Sequence, residues 1–182
     1  MWESAPKRKV KIDEQLFERI CQGEADAFRE LYESTYRPLY AFLLSHTQNS
    51  EDAQDLLQDT YIQIYKNSHL YQKQGNPMAW MMKIAKNLFL MKCRKDREAT
   101  VNYEDVENEL GFADISDADN RMILAAMFQI LSEEDRDLII LHNVGGMKHR
   151  EIAKLMNMPL GTVMARYNRG IRKLQKEFGE KL

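Results

Sequence analysis

The chain has 182 residues, room for one ordinary domain or two small ones. Its 44% hydrophobic and 30% charged composition is that of a soluble globular protein with enough apolar surface for a core. The formal net charge is only −2, so any strongly basic or acidic stretch is segregated. Four prolines, eight glycines and few β-branched runs point to an all-α protein. Cys21 and Cys93 lie far apart without metal-ligand spacing, which fits reduced thiols in packing roles. The four histidines form no ligand cluster, so neither a metal nor a cofactor is expected. No run approaches the length of a membrane span, and the start MWESAPKRKVKIDEQ has no apolar signal core. The expected location is the cytoplasm, with no membrane insertion. There is no nucleophile–base pair, phosphate loop or paired acid–base constellation, so an enzyme is not expected.

Residues 1–12 read as a polar, basic arm. From Asp13, an N-cap, the pattern turns helical, with Leu16, Phe17, Ile20 and Cys21 on one face until Gly23 stops it. A second helix, DAFRELYESTYRPLYAFLLSHT, should bury Phe28, Leu31, Tyr32, Leu39, Phe42 and Leu43, with a bend or break at Pro38. In NSEDAQDLLQDTYIQIYKN, Ser50 can cap a third helix whose first acids suit the helix dipole. Leu56, Leu57, Thr60, Tyr61 and Ile64 supply its inward face, while Asp52, Asp55, Gln58 and Asp59 gather outward. Like charges at that spacing cost a helix a little stability unless something cationic covers them. A solvated acidic face is the plain alternative.

After the loop NSHLYQKQGNP comes a long helix, PMAWMMKIAKNLFLMKCRKDR, with Pro77 in its first turn. Met81, Ile84, Ala85 and Leu88 define its sides, and Lys83, Lys86, Lys92, Arg94, Lys95 and Arg97 make it basic. A basic helix beside an aromatic, polar loop suits stacking on unpaired bases and gripping their backbone, although Trp80 by itself fits a core position as well. Residues 99–119 carry seven acids and no Lys or Arg, the composition of a flexible tether. Beyond it, Arg121 to Leu131 is amphipathic, Ser132 caps a helix containing Leu138, Ile139, Leu141 and Val144, and Gly145-Gly146 ends that helix.

The stretch KHREIAKLMNMPLGTVMARYNRGIRKL reads as two helices interrupted at Asn157-Met158-Pro159. The second repeats Leu160, Val163, Tyr167, Ile171 and Leu174 at helical spacing, with Thr162, Ala165, Arg166, Arg169 and Lys173 opposite. Between Gly145 and Lys176 there are eight Lys or Arg and one acid, Glu151. This is a helix-turn-helix with a basic recognition face, suited to nucleic acid. A solvated basic face on a helical hairpin would show the same pattern.

Taken together, these segments resemble a bacterial RNA polymerase sigma factor of the extracytoplasmic-function group, over about Asp13 to Phe178. EDAQDLLQDTYIQIYKN looks like that family's region 2.2, PMAWMMKIAKNLFLMKCRK like regions 2.3 and 2.4, and GGMKHREIAKLMNMPLGTVMARYNRGIRKL like region 4.2. The resemblance implies a region 2-like domain at 13–98, an acidic linker at 99–119 and a region 4-like domain at 120–178. It implies docking of Asp52, Asp55, Leu56, Gln58 and Asp59 on the β′ clamp helices of core RNA polymerase, with the β flap as a further contact. It implies capture of a flipped −10 base by the loop His69 to Asn76, with Tyr71 as a stacking partner. Trp80, Lys83, Lys86 and Asn87 would then touch the melted strand. At the −35 element, Arg166 and Arg169 would read bases or phosphates, and Gly161 and Thr162 would meet phosphate at the helix N-terminus. Lys148, Arg150 and Lys173 would grip the backbone. An anti-sigma factor is the remaining implied partner. The chain departs from the family pattern at Met164, where Arg or Lys is common, and at Ala165, where Ser is frequent. Those changes favour apolar contact with thymine methyls or reading of DNA shape.

Overall fold

The computed structural model describes residues 12–73, 76–99 and 129–178, with backbone alone at 96–99 and 178. The expected arm (apart from Ile12), Gln74 and Gly75 of the expected −10 loop, the tether (apart from Ala99, which ends the fourth helix) and most of the 121–131 helix lie outside these residues. Among the described residues all regular structure is helical, as expected: α1 (Gln15–Cys21), α2 (Ala25–Thr47), α3 (Ser50–Asn67), a 3-10 turn (Ser68–Leu70), α4 (Pro77–Ala99), α5 (Glu133–Asn143), α6 (His149–Leu155) and α7 (Leu160–Phe178). They fall into two compact units, with α1–α4 in the first and α5–α7 in the second.

In the first unit, Glu14 and not Asp13 is the N-cap of α1, although the Asp13 carboxylate just before it accepts the Gln15 N–H at 2.9 Å. Leu16, Phe17 and Ile20 are buried, but Cys21 is exposed. Its thiol lies 3.3 Å from the Ser68 hydroxyl, so it borders the core instead of filling it. Gly23 ends α1 with φ at +84°, a conformation that costs glycine little. Helix α2 then runs unbroken through Pro38, so of the bend or break expected there the break does not occur. An interior proline costs a helix about 3 kcal/mol. Burial of Leu31, Leu39, Phe42 and Leu43 on either side offsets this, since each such side chain contributes about 1.5–3 kcal/mol. Tyr32, expected inside, is exposed.

Asn49, not Ser50, caps α3, its side-chain oxygen accepting the Asp52 N–H at 3.0 Å. The inward face is the expected one, with Leu56, Leu57, Thr60, Tyr61 and Ile64 buried. Two hydroxyls tie α3 to α2. Thr35 Oγ1 donates to the Leu31 carbonyl at 2.6 Å, which leaves Tyr61 as donor in the 2.8 Å bond between their hydroxyls. Helix α4 closes the unit with Met78, Met81, Met82 and Ala85.

Candidate nucleic-acid interface

In the second unit, Ser132 caps α5 as expected, its hydroxyl accepting the Asp135 N–H at 3.3 Å. Gly146, with φ at +66°, lies in the turn that follows α5. The Lys148 N–H donates to the Glu151 carboxylate at 2.7 Å, so the single acid of this segment serves to start α6. Asn157, at φ +53°, makes the left-handed turn out of α6, and the Met158 N–H donates to the Ala153 carbonyl at 2.9 Å. Helix α7 buries Val163, Gly170 and Leu174. Gly170 is where α7 meets α5: a Cβ there would lie 2.9 Å from Ile139 Cδ1.

The junction of the three helices is aromatic. His142 and His149 stack at 4.3 Å, and the Tyr167 ring stands edge-on to both. The Tyr167 hydroxyl donates to Asn143 Oδ1 at 2.9 Å, and burial pushes its phenol pKa up, so it stays neutral. His142 Nδ1 is 2.8 Å from the Met147 carbonyl. Hydropathy periodicity does not mark these histidines, because each is polar by composition and apolar only by its ring face.

On the outer side, α7 forms a concavity of about 550 Å³. Five expected residues line it, Gly161, Thr162, Ala165, Arg166 and Arg169, together with Asn168 and Arg172. The last two continue the spacing of four, three and four from Gly161 through Ala165, Asn168 and Arg172, a signal present in the sequence. Lys148, Arg150 and Lys173 are exposed but do not line the concavity. Met164 is 46% exposed, an apolar side chain held in solvent on a basic helix.

Arg166 is not a free cation. Its Nε donates to Asp135 Oδ1 at 2.8 Å, and its Nη1 pairs with Glu134, both acids lying in the first turn of α5. The Asp135 bond is the main reason the guanidinium pKa is raised, so the charge is permanent. The Arg166 side chain is 21% exposed and Asp135 only 13%. Fixed charges of this kind were not legible from spacing, because the partners are 31 residues apart.

The first unit presents the acidic face on α3. Asp55, Gln58 and Asp59 are exposed, while Asp52 is half-buried and pairs with Lys92 of α4. Leu56 differs from the expectation for a docking residue. It is 4% exposed, because it falls on the inward stripe and seats α3 in the core. In the loop, Tyr71 stacks on Phe17 at 4.1 Å, stands 5.4 Å from Trp80, and donates its hydroxyl to Glu14 at 3.0 Å. His69 is exposed and, with Tyr71 and residues of α1, lines a cavity of about 810 Å³. Asn76 starts α4, its side-chain oxygen accepting the Ala79 N–H at 3.0 Å. Trp80 is half-buried beside Phe17, Lys86 is half-buried, and Lys83 and Asn87 are exposed.

Comparison with known proteins identifies both units. Residues 31–99 match the family model for Sigma-70 region 2, and residues 121–174 that for Sigma-70, region 4. The RNA polymerase sigma factor CarQ of Myxococcus xanthus is 30% identical over 166 residues, 90% of this chain and 95% of that protein. The extracytoplasmic-function sigma-E factor of Escherichia coli K12 is likewise 30% identical over 168 residues, 85% of this chain and 87% of that protein. The chain belongs to the extracytoplasmic-function sigma factors. Two solved structures share the sigma factor's fold. RpoE of Bartonella quintana, in complex with the anti-sigma factor NepR, aligns with a TM-score of 0.63 and 23% identity, over 85% of this chain and 98% of that one. CnrH, in complex with the cytosolic domain of CnrY, aligns at 0.65 and 19%, over 94% and 100%. Family membership carries with it binding to core RNA polymerase and promoter-specific initiation of transcription. Among the described residues, no helix is long and apolar enough to cross a membrane.

Proposed function

We propose that this sigma factor docks on the β′ clamp helices of core polymerase through Asp52, Asp55, Gln58 and Asp59, with the β flap as a second contact, and directs the enzyme to promoters by reading −10 and −35 elements. The observation that carries the reading is the outward segregation of charge. Asp55 and Asp59 stand exposed on α3, while Arg169, Arg172 and Lys173 stand exposed on α7. An acidic stripe suits a basic coiled coil, and a basic helix face suits DNA. At the −35 element, Gly161 and Thr162 offer the positive N-terminus of the 19-residue helix α7 to a phosphate. Arg166 and Arg169 face the groove, Lys148, Arg150 and Lys173 hold the backbone, and Ala165 and Met164 favour thymine methyls.

At the −10 element, the melted strand lies along α4 against Lys83, Lys86 and Asn87. An unpaired base enters the cavity bounded by His69 and Tyr71. One face of Tyr71 is already on Phe17, so its part is to wall the cavity, and Trp80 supports it from behind. Asn76 sets the start of α4 and hence the lie of these residues. Unstacking the base costs a few kcal/mol, which stacking and backbone contacts offset. Working in the cytoplasm, the protein would be held inactive by an anti-sigma factor, as RpoE and CnrH are each found with a protein partner.

Run-off transcription with bacterial core polymerase on a genomic promoter library tests this. Specific transcripts are expected with the protein, and none with Asp55→Lys/Asp59→Lys, whose melting temperature should match wild type. Tight binding to duplex DNA by the protein alone, with no transcripts gained, would show a free-standing regulator instead.

A further inference from the structure

We infer that Asp135 and Glu134 are positioning residues for sequence readout, holding the Arg166 guanidinium so that its remaining edge reads one guanine of the −35 major groove. The inference rests on the promoter reading above and adds what that reading lacks, a base and the residues that aim at it.

Three features support it. Arginine has five N–H donors in a rigid fork, and its commonest specific partner in DNA is guanine, through O6 and N7. Here the bonds to Asp135 and Glu134 use Nε and Nη1, and neither uses Nη2. The side chain lines the α7 concavity with Thr162, Ala165 and Arg169, the face proposed above to meet DNA. An unheld arginine loses rotamer freedom when it binds, at about 0.5–1.5 kcal/mol for a side chain of this kind. A guanidinium already fixed by two carboxylates has lost that freedom on folding.

The acids themselves need an explanation. Carboxylates beside a phosphate-binding surface repel DNA, yet two of them point at the recognition helix. Favourable interaction with the α5 dipole explains their place in the sequence, since Glu133, Glu134 and Asp135 all lie in its first turn. It does not explain their direction, for the dipole asks nothing of side-chain aim, and Asp135 aims across 31 residues at one nitrogen. Asp135 is the firmer of the two, being 13% exposed where Glu134 is 55%. A carboxylate that buttresses an arginine also rejects the wrong base, because a cation aimed at adenine N6 meets a donor and not an acceptor.

The test is selection of promoter duplexes, randomised across the −35 region, by holoenzyme reconstituted from full-length protein and bacterial core polymerase. Wild type, Asp135→Asn, Arg166→Lys and Lys173→Ala are compared by sequencing the bound pools. For wild type, one position should favour guanine by roughly tenfold or more. Asp135→Asn should reduce that preference to below about threefold while leaving the preferences at other positions intact. Arg166→Lys, which keeps the charge but has no fork, should lose the same position only. Lys173→Ala should weaken binding evenly and spare every preference. If Asp135→Asn and Arg166→Lys leave the motif unchanged, or flatten all positions together, the positioning role is overturned while the sigma reading stands. A wild-type pool with no motif at all overturns both.

Discussion

The hydroxyl relay between α2 and α3 makes a prediction whose sign depends on hydrogen-bond direction. Tyr61 donates to Thr35, and Thr35 donates to the Leu31 carbonyl. Both residues are buried. Tyr61→Phe removes the first donor and leaves Thr35 still bonded, a loss of about 1 kcal/mol. Thr35→Val keeps the shape but leaves the Tyr61 hydroxyl only its 3.5 Å bond to the Tyr32 carbonyl, too long to satisfy it. An orphaned buried donor costs about 1–3 kcal/mol. The double variant has no orphan, so adding Tyr61→Phe to Thr35→Val should restore stability. Thermal melts followed by Trp80 fluorescence in a Trp2→Phe background read the first unit alone. A change of 1 kcal/mol corresponds to about 4–8 °C in a domain of this size. A double variant less stable than Thr35→Val would refute the donor order. The phenol adds a pH signature, since burial raises its pKa above the ordinary value of 10.0. Stability from this group is full below about pH 10 and falls as the pH rises further, because the unfolded chain releases the proton first. Tyr61→Phe should therefore remove part of the alkaline slope, up to about 1.4 kcal/mol per pH unit.

Two further outcomes follow from the second unit. Gly170→Ala gains about 1 kcal/mol of helix propensity but presses on Ile139 Cδ1, so it should stabilise the Ile139→Val variant, which lacks that atom, more than it stabilises wild type in thermal melts. Arg169→Ala should lower the slope of log affinity against log salt by about 0.9 in holoenzyme–promoter titrations, since exposed Arg169 is engaged by no ion pair among the described residues.

Periodicity resolved what depends on a single helix and missed what depends on two. The inward face of α3 could be read directly, and so could the α7 stripe, although only Val163 and Leu174 of it are fully buried and Leu160, Tyr167 and Ile171 are half-buried, because burial of one side follows from spacing. Asn157 as a left-handed turn and Ser132 as a cap were also legible, since the chemistry sits within four residues. Pro38 does not break α2, because its cost is local while the compensation comes from the core around it. The cap of α3 moved to Asn49 because two capping residues stand side by side, and only backbone geometry chooses between them. Tyr32 and Tyr71 exchanged their expected settings. Tyr32 is exposed on α2, whereas Tyr71 is held by Phe17 and Glu14, each more than 50 residues away in sequence. Gly170 and the Arg166–Asp135 bond likewise needed α7 laid across α5.

Each of the two candidate faces keeps one charge for internal use and leaves the others outward. On α3, Asp52 pairs with Lys92, while among the described residues no ion pair involves Asp55 or Asp59. On α7, Arg166 pairs with Asp135 and Glu134, while Arg169, Arg172 and Lys173 stay exposed. The repulsion this leaves is small. Like charges three or four residues apart on a helix cost about 0.2–0.5 kcal/mol per pair, so the α3 acids sacrifice about 1 kcal/mol at most. A domain several kcal/mol stable can carry that cost indefinitely. When a surface of opposite charge covers the face, the repulsion is relieved and the attraction is gained in the same step. The tied charges behave differently, since their partners are already in place and binding has nothing to relieve. They fix where a face points, and the free ones decide how strongly it holds.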